Sequence, residues 1–186
     1  MILIGFMGAG KSSVGSALAK QIGWEFEDLD DRIEDREQRK IYEIFRDNGE
    51  AEFRLAEQAA LRDVLDELRA RPNRVIALGG GAFAQVANVS MIKAAGIPTL
   101  FLDASLDELW KRCQQQSGQQ ERERPLLTSL ARFRELHDMR RPHYLKATLR
   151  HETTGKTVAR IAADLAADLM DVLELRPQRR TQKRRK

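Results

Sequence analysis

Residues 5–12 read Gly-Phe-Met-Gly-Ala-Gly-Lys-Ser and match G-x-x-x-x-G-K-[ST] at every fixed position. A short apolar run, Ile2–Phe6, precedes them and a helical pattern follows, which is the context that gives this motif its meaning. The glycines let backbone N–H groups turn inward around phosphate oxygens. A helix starting near Lys11 aims its N-terminal partial positive charge at the same oxygens. Gly8, Ala9, Gly10, Lys11, Ser12 and Ser13 are therefore the expected nucleotide-binding set. Lys11 should reach the β- and γ-phosphates, and the Ser12 hydroxyl should ligate a bridging Mg²⁺. The motif announces a nucleoside triphosphate and leaves the phosphoryl acceptor open.

Other residues could serve the acceptor. Asp28 and Asp30 fall in Glu-Phe-Glu-Asp-Leu-Asp-Asp at the end of a second strand-like run. Two residues apart on a strand, they share one face. One carboxylate could join the Mg²⁺ shell while the other takes a proton from a hydroxyl. The alternative is a solvated acidic turn, since Asp31 and Glu34 lie close by. Arg54 and Glu57 are spaced to pair on a helix, although most such pairs are surface contacts worth ~0–1 kcal/mol. Gly79-Gly80-Gly81 directly follows an apolar run. Three glycines make sense where a ligand approaches the backbone closely. Arg124 follows the polar stretch Gln114–Gln120, a pattern suited to a lid that brings positive charge to a transferring phosphoryl group. Arg140 and Arg141 open a second basic cluster, and arginine suits bidentate carboxylate recognition.

The elements that must position these groups alternate between strand and helix. Strands are expected at Ile2–Phe6, Glu25–Leu29, Val75–Leu78, Pro98–Leu102 and Ala147–Arg150. Val14, Leu18 and Ile22 mark a helical stripe closed by Gly23. A mostly helical stretch runs from Ile33 to about Arg69, broken at Asn48-Gly49. Further helices are expected through Val89–Ile92, from Leu106, over about 127–146 with Pro142 bending or ending it, and through Val158–Val172. Alternation of this kind implies a parallel sheet with helices on both faces, and ligands at the carboxyl ends of the strands.

The whole fits one domain: 186 residues suffice for a core without staples. One cysteine, Cys113, excludes an internal disulfide framework and suits a reducing, cytoplasmic setting. Three histidines without paired spacing give no zinc pattern. No run is long enough to span a membrane, and the N-terminus lacks the features of a signal peptide. The net charge of +4 hints at nucleic acid, yet residues 176–186 hold seven basic groups and no acid. The remainder has 25 basic against 28 acidic residues. The charge belongs to a tail, expected to be a solvated appendage with no specific nucleic-acid partner.

Taken in order, GFMGAGKSS, the Asp28–Asp30 pair, Phe-Arg-Leu-Ala-Glu at 53–57, the glycines at 79–81, Arg-Pro-Leu-Leu at 124–127 and Arg-Arg-Pro-His-Tyr at 140–144 resemble the shikimate kinase family. The resemblance spans Ile2 to about Leu173. It implies an α/β, three-layer P-loop kinase fold with a five-stranded parallel sheet in the order 2-3-1-4-5 and a mobile lid. The kinase domain would be 1–175, with an acceptor-binding region at about 31–60, a lid at about 112–126 and the tail at 176–186. The implied reaction is transfer from ATP to the 3-hydroxyl of shikimate with Mg²⁺, by a monomer. Ser12 would bind the metal with help from Asp28. Asp30 would hold the acceptor hydroxyl and act as base. Arg54 and Arg140 would clamp the carboxylate beside Gly79, Gly80 and Gly81. Glu57 would orient Arg54, and Phe45 and Phe53 would line the pocket. Arg124 would be the lid arginine, and Arg112 would lie near the base of the nucleotide.

The chain departs from the family pattern in places. Ser13 stands where threonine is more usual, the lid region Gln114–Glu123 is glutamine-rich, and His151–Thr157 offers no clear base contact. A kinase for another hydroxy-acid such as gluconate, and a nucleic-acid-binding protein using the tail, are the alternatives.

Overall fold

The computed structural model describes residues 1–116 and 129–174. Five strands form one sheet: β1 (Ile2–Ile4), β2 (Glu25–Asp28), β3 (Arg74–Ala77), β4 (Thr99–Asp103) and β5 (Leu149–Glu152). Their order is β2-β3-β1-β4-β5, and every pairing is parallel. This is the expected sheet. β1 lies at its centre, with Ile2 opposite Ile76 on one side and Thr99 on the other. Buried on both faces, it is apolar throughout, as a central parallel strand must be. Because all five strands run the same way, the residues after Ile4, Asp28, Ala77, Asp103 and Glu152 gather at one edge.

The helices around the sheet are α1 (Lys11–Ile22), α2 (Leu29–Glu37), α3 (Ile41–Ala70), α4 (Val86–Ala95), α5 (Leu106–Gln116), α6 (Leu130–Tyr144) and α7 (Val158–Glu174). α1 packs on β1, β2, β3 and α7, while α3 packs on α2 and α4, and α5 on α6. Gly15 allows α1 to press onto the sheet: a Cβ there would lie 2.5 Å from the Phe26 ring and 3.0 Å from Leu3. α3 is interrupted at Gly49, whose φ of 81° takes it out of helical geometry. Beyond that break Leu61, Val64, Leu65 and Leu68 bury one face.

Three expectations need correction. The stretch Ile33–Arg69 is two helices, because Gln38 adopts φ 51° at the end of α2 and Lys40 with Glu43 caps α3 anew. The last strand lies two residues later than expected, at Leu149–Glu152, where pairing with β4 sets its position. Asp28 and Asp30 do not share a strand. β2 stops at Asp28, whose carboxylate accepts the Asp30 backbone N–H at 3.1 Å and so starts α2. Asp30 is thus a first-turn helix residue. Pro142 is accommodated within α6, which ends two residues later. The basic tail and the segment 117–128 lie outside the described residues.

Candidate active site

The loop after β1 has the backbone that the motif requires. Gly8 and Gly10 take φ of 79° and 83°, and Gly10 precedes the first residue of α1 in left-handed geometry. Gly8 lies so close to α5 that a Cβ would meet the Leu109 carbonyl oxygen at 2.7 Å and the Cys113 Sγ at 2.8 Å. No acidic residue occupies the first turn of α1. The helix itself thus brings no negative charge to its N-terminus, where its field favours an anion. The Lys11 Nζ donates to the carbonyls of Gly5 at 3.0 Å and Phe6 at 3.2 Å, which folds the ammonium over the loop. Ala9 is buried, whereas Ser12 and Ser13 face solvent at the start of α1.

The Ser12 Oγ donates to Asp28 Oδ2 at 2.5 Å. One hydroxyl and one carboxylate form a hard oxygen pair, the donor chemistry that suits Mg²⁺. Among the described residues no group of three His, Cys, Asp or Glu side chains could hold a metal. An ion here would need phosphate oxygens as further ligands, as in nucleotide sites generally.

A second cluster gathers around the three glycines. A Cβ on Gly79 would lie 2.6 Å from Asp30 Oδ1, and one on Gly81 would lie 2.7 Å from an Arg54 guanidinium nitrogen. One on Gly80 would be 3.6 Å from the Met7 backbone nitrogen and 3.8 Å from Arg140 Nη1. The glycine segment is thus a shared wall, with the phosphate loop behind Gly80 and charged side chains against its neighbours. Gly81→Ala should displace Arg54 and raise the acceptor KM about tenfold or more at unchanged ATP KM. Initial-rate kinetics with each substrate varied will check this.

Arg54 is held from two sides. Its Nη1 donates to both Glu57 carboxylate oxygens at 3.0 Å, and its Nε and Nη2 reach Glu50. Glu57 is 1% exposed, so this is no surface pair. Burial pushes its pKa up, and Arg54 and Arg140 oppose that shift. Arg54 also stacks over Phe53, which packs against Phe45 with ring centroids 4.5 Å apart. Tyr144 is buried and donates its hydroxyl to the Gly80 carbonyl. Asp30 is pushed up to about 6, first by desolvation and then by Asp28, while Lys11 pulls it down. A carboxyl poised there can accept a proton near neutral pH.

Most of the expected site residues therefore meet at one edge of the sheet. Arg112, on α5, donates to the Thr153 carbonyl at 3.2 Å and pairs with Glu108. That places it beside the β5–α7 connection, where no base contact was legible. Arg124 lies outside the described residues. Tyr144 and the buried Asn88 were not singled out as site residues. Tyr144 bonds a carbonyl 64 residues away, so no local pattern marks it, and Asn88 donates to the nearby Ala82 carbonyl.

The shikimate kinase family model matches residues 7–171. The shikimate kinase of Persephonella marina is 36% identical over 164 residues, covering 88% of this chain and 94% of its own. The chain belongs to the shikimate kinase family. Among solved structures, a shikimate kinase from Acinetobacter baumannii in complex with shikimate superposes with a TM-score of 0.76 at 32% identity, over 91% of this chain and 92% of its own. A gluconokinase from Sinorhizobium meliloti reaches a TM-score of 0.58 at 17% identity, covering 94% of this chain and 95% of its own, a likeness of fold alone. Membership of the shikimate kinase family makes this an ATP-dependent kinase and accounts for a phosphate loop and an arginine-lined cluster sharing one glycine wall.

Proposed function

We propose that the chain transfers the γ-phosphoryl group of ATP to the 3-hydroxyl of shikimate, giving ADP and 3-phosphoshikimate, with Mg²⁺. The observation that carries this is Gly79–Gly81, which brings Asp30, Arg54 and Arg140 up against the phosphate loop. Two guanidinium groups with one poised carboxyl suit a small acceptor bearing both a carboxylate and a hydroxyl. Family membership then selects shikimate among such acceptors.

In this reading Gly8–Ser13 wrap the phosphates, and Lys11 swings from the loop carbonyls onto the β- and γ-phosphates. Ser12 and Asp28 hold Mg²⁺, which screens phosphate charge when bound. Arg54 and Arg140 fix the carboxylate with the Gly80 backbone, Glu57 orients Arg54, and Phe45 and Phe53 cover the apolar side. The acceptor oxygen forms its bond to the γ-phosphorus, the bridging P–O bond to ADP breaks, and the hydroxyl proton passes to Asp30. Arg124 stabilises the transferring group from the lid, and Arg112 flanks the base.

The catalytic unit is assigned to 1–175 acting as a monomer in the cytoplasm. The family match over residues 7–171 supports that extent, and no described helix is long and apolar enough to cross a membrane. Deleting residues 177–186 should leave kcat/KM within about twofold, measured in the same assay. The deciding experiment couples ADP release to a spectrophotometric signal with shikimate, gluconate and other hydroxy-acids as acceptors. Turnover with shikimate that depends on Mg²⁺ is expected. Folded, ATP-binding protein that ignores shikimate would overturn the reading.

A further inference from the structure

The glycine wall has no side chains to hold it, and glycine has more backbone freedom than any other residue. Its three carbonyls are nonetheless all engaged. Gly79 accepts the Ala82 N–H at 3.1 Å and Gly81 accepts the Ala84 N–H at 3.1 Å, both from the short 3₁₀ turn that follows. The middle one, Gly80, is held from outside. Its carbonyl accepts the hydroxyl of Tyr144, 64 positions along the chain. Tyr144 is 1% exposed, the last residue of α6, and its ring packs against Phe101 with centroids 5.3 Å apart. Burial raises the pKa of this hydroxyl, so it stays a donor throughout the neutral range.

Gly80 is also the wall residue between the two halves of the site. A Cβ there would lie 3.6 Å from the Met7 nitrogen and 3.8 Å from Arg140 Nη1. Arg140 and Tyr144 are four apart on α6 and share a face. That helix has an anchor of its own. Arg141 Nη2 lies 2.9 Å from Oδ2 of the buried Asp103 at the end of β4, and Arg150 of β5 reaches the same oxygen at 2.7 Å. What the Tyr144 hydroxyl adds to this docking is a hold on Gly80.

We propose that Tyr144 is a positioning residue of the acceptor site: its hydroxyl holds the Gly80 carbonyl and so fixes the middle of the glycine wall against Arg140 before the acceptor arrives. Holding the carbonyl fixes the plane of the Gly80–Gly81 peptide, and with it the direction of the Gly81 N–H. A wall set in advance does not have to be ordered on binding, which favours affinity. Asp30 lies against Gly79, whose carbonyl is held locally, and the phosphate loop has its own bonds from Lys11. The chemical step and nucleotide binding should therefore not feel the hydroxyl.

This inference rests on the acceptor reading given above. The test is Tyr144→Phe, which removes one oxygen and keeps the ring against Phe101. The shikimate Kd by calorimetry, and the shikimate KM, should rise about tenfold. The ATP Kd should stay within about twofold and kcat within about threefold. A melting temperature that falls while the shikimate Kd is unchanged would mark the hydroxyl as structural alone and overturn the proposal. An ATP Kd that rises in step with the shikimate Kd would overturn it too. Should Tyr144→Phe not fold, ring-fluorinated tyrosine at 144 keeps the volume and makes a stronger donor. Shikimate should then bind about twofold tighter at unchanged ATP Kd, and no tightening counts against the proposal. Failure of the unmodified protein to bind shikimate at all would overturn it together with the acceptor reading, whereas normal binding that the phenylalanine variant retains would sink this proposal alone.

Discussion

Asp30→Asn should lower kcat by about three orders of magnitude while leaving the ATP Kd within about threefold. The amide keeps the shape of the side chain and its place against Gly79, but it cannot take a proton from the acceptor oxygen. The same substitution should stabilise the free protein at neutral pH. Asp30 is shifted from 3.8 to about 6, so ionising it in the folded state is disfavoured. For an acid with a raised folded-state pKa, that penalty is absent below about pH 4 and complete above about pH 6. At neutral pH it amounts to at most about 3 kcal/mol, given the shift from 3.8 to about 6. Denaturation of the two proteins should therefore nearly coincide in acid and separate as pH rises, with the variant more stable. In the active protein, shikimate turnover should fall as pH drops through about 6, because the base must be ionised to act. A variant that keeps its rate would remove Asp30 from the proton transfer.

Arg54→Ala should act on the other half of the site. The acceptor KM should rise about a hundredfold or more through the lost charge-assisted bonds, with the ATP KM unchanged. The fold should also suffer, because Glu57 is left buried with its main partner gone. Breaking a buried pair from one side costs about 3–5 kcal/mol. Burial already raises the Glu57 pKa and Arg54 opposes that shift, so the variant raises it further. The carboxyl then takes up a proton more readily, and the stability deficit should be largest at neutral pH and shrink in acid. Urea denaturation at several pH values will show this. Adding Glu57→Gln should recover much of the lost stability and none of the acceptor affinity. Two independent losses that simply add would contradict a buried pair.

These effects could be foreseen unevenly. The strands and the phosphate loop were legible because their signals are local, a glycine motif and short runs alternating with helical stripes, whereas the sheet order, which depends on long-range pairing, was implied only by the family resemblance. The Asp28–Asp30 geometry was misjudged, although its signal was present. Asp28 is followed by acids at 30 and 31, the pattern of an N-cap and an acidic first helical turn. Strand and cap compete for such a residue, and the cap wins here because the Asp28 carboxylate accepts the Asp30 N–H. The Arg54–Glu57 pair was visible as a spacing, but not its burial, which depends on α4 and the turn after the glycine segment packing on α3. Tyr144 was beyond reach for the same reason: its partner Gly80 lies 64 positions away.

The glycine wall also governs how this enzyme could be altered to accept other molecules. On that side a side chain at Gly79 would strike Asp30 and one at Gly81 would strike Arg54, while at Gly80 even a methyl group would already touch the phosphate loop and Arg140. Phe45 and Phe53 are bounded differently, since Phe45 is only partly buried and meets the core through the Phe53 ring. Attempts to widen the repertoire of acceptors should therefore begin at Phe45, and libraries built on 79–81 should return chiefly inactive protein. Evolution faces the same asymmetry: one side of the cleft is a mould that can be recut, and the other is fixed by the backbone itself.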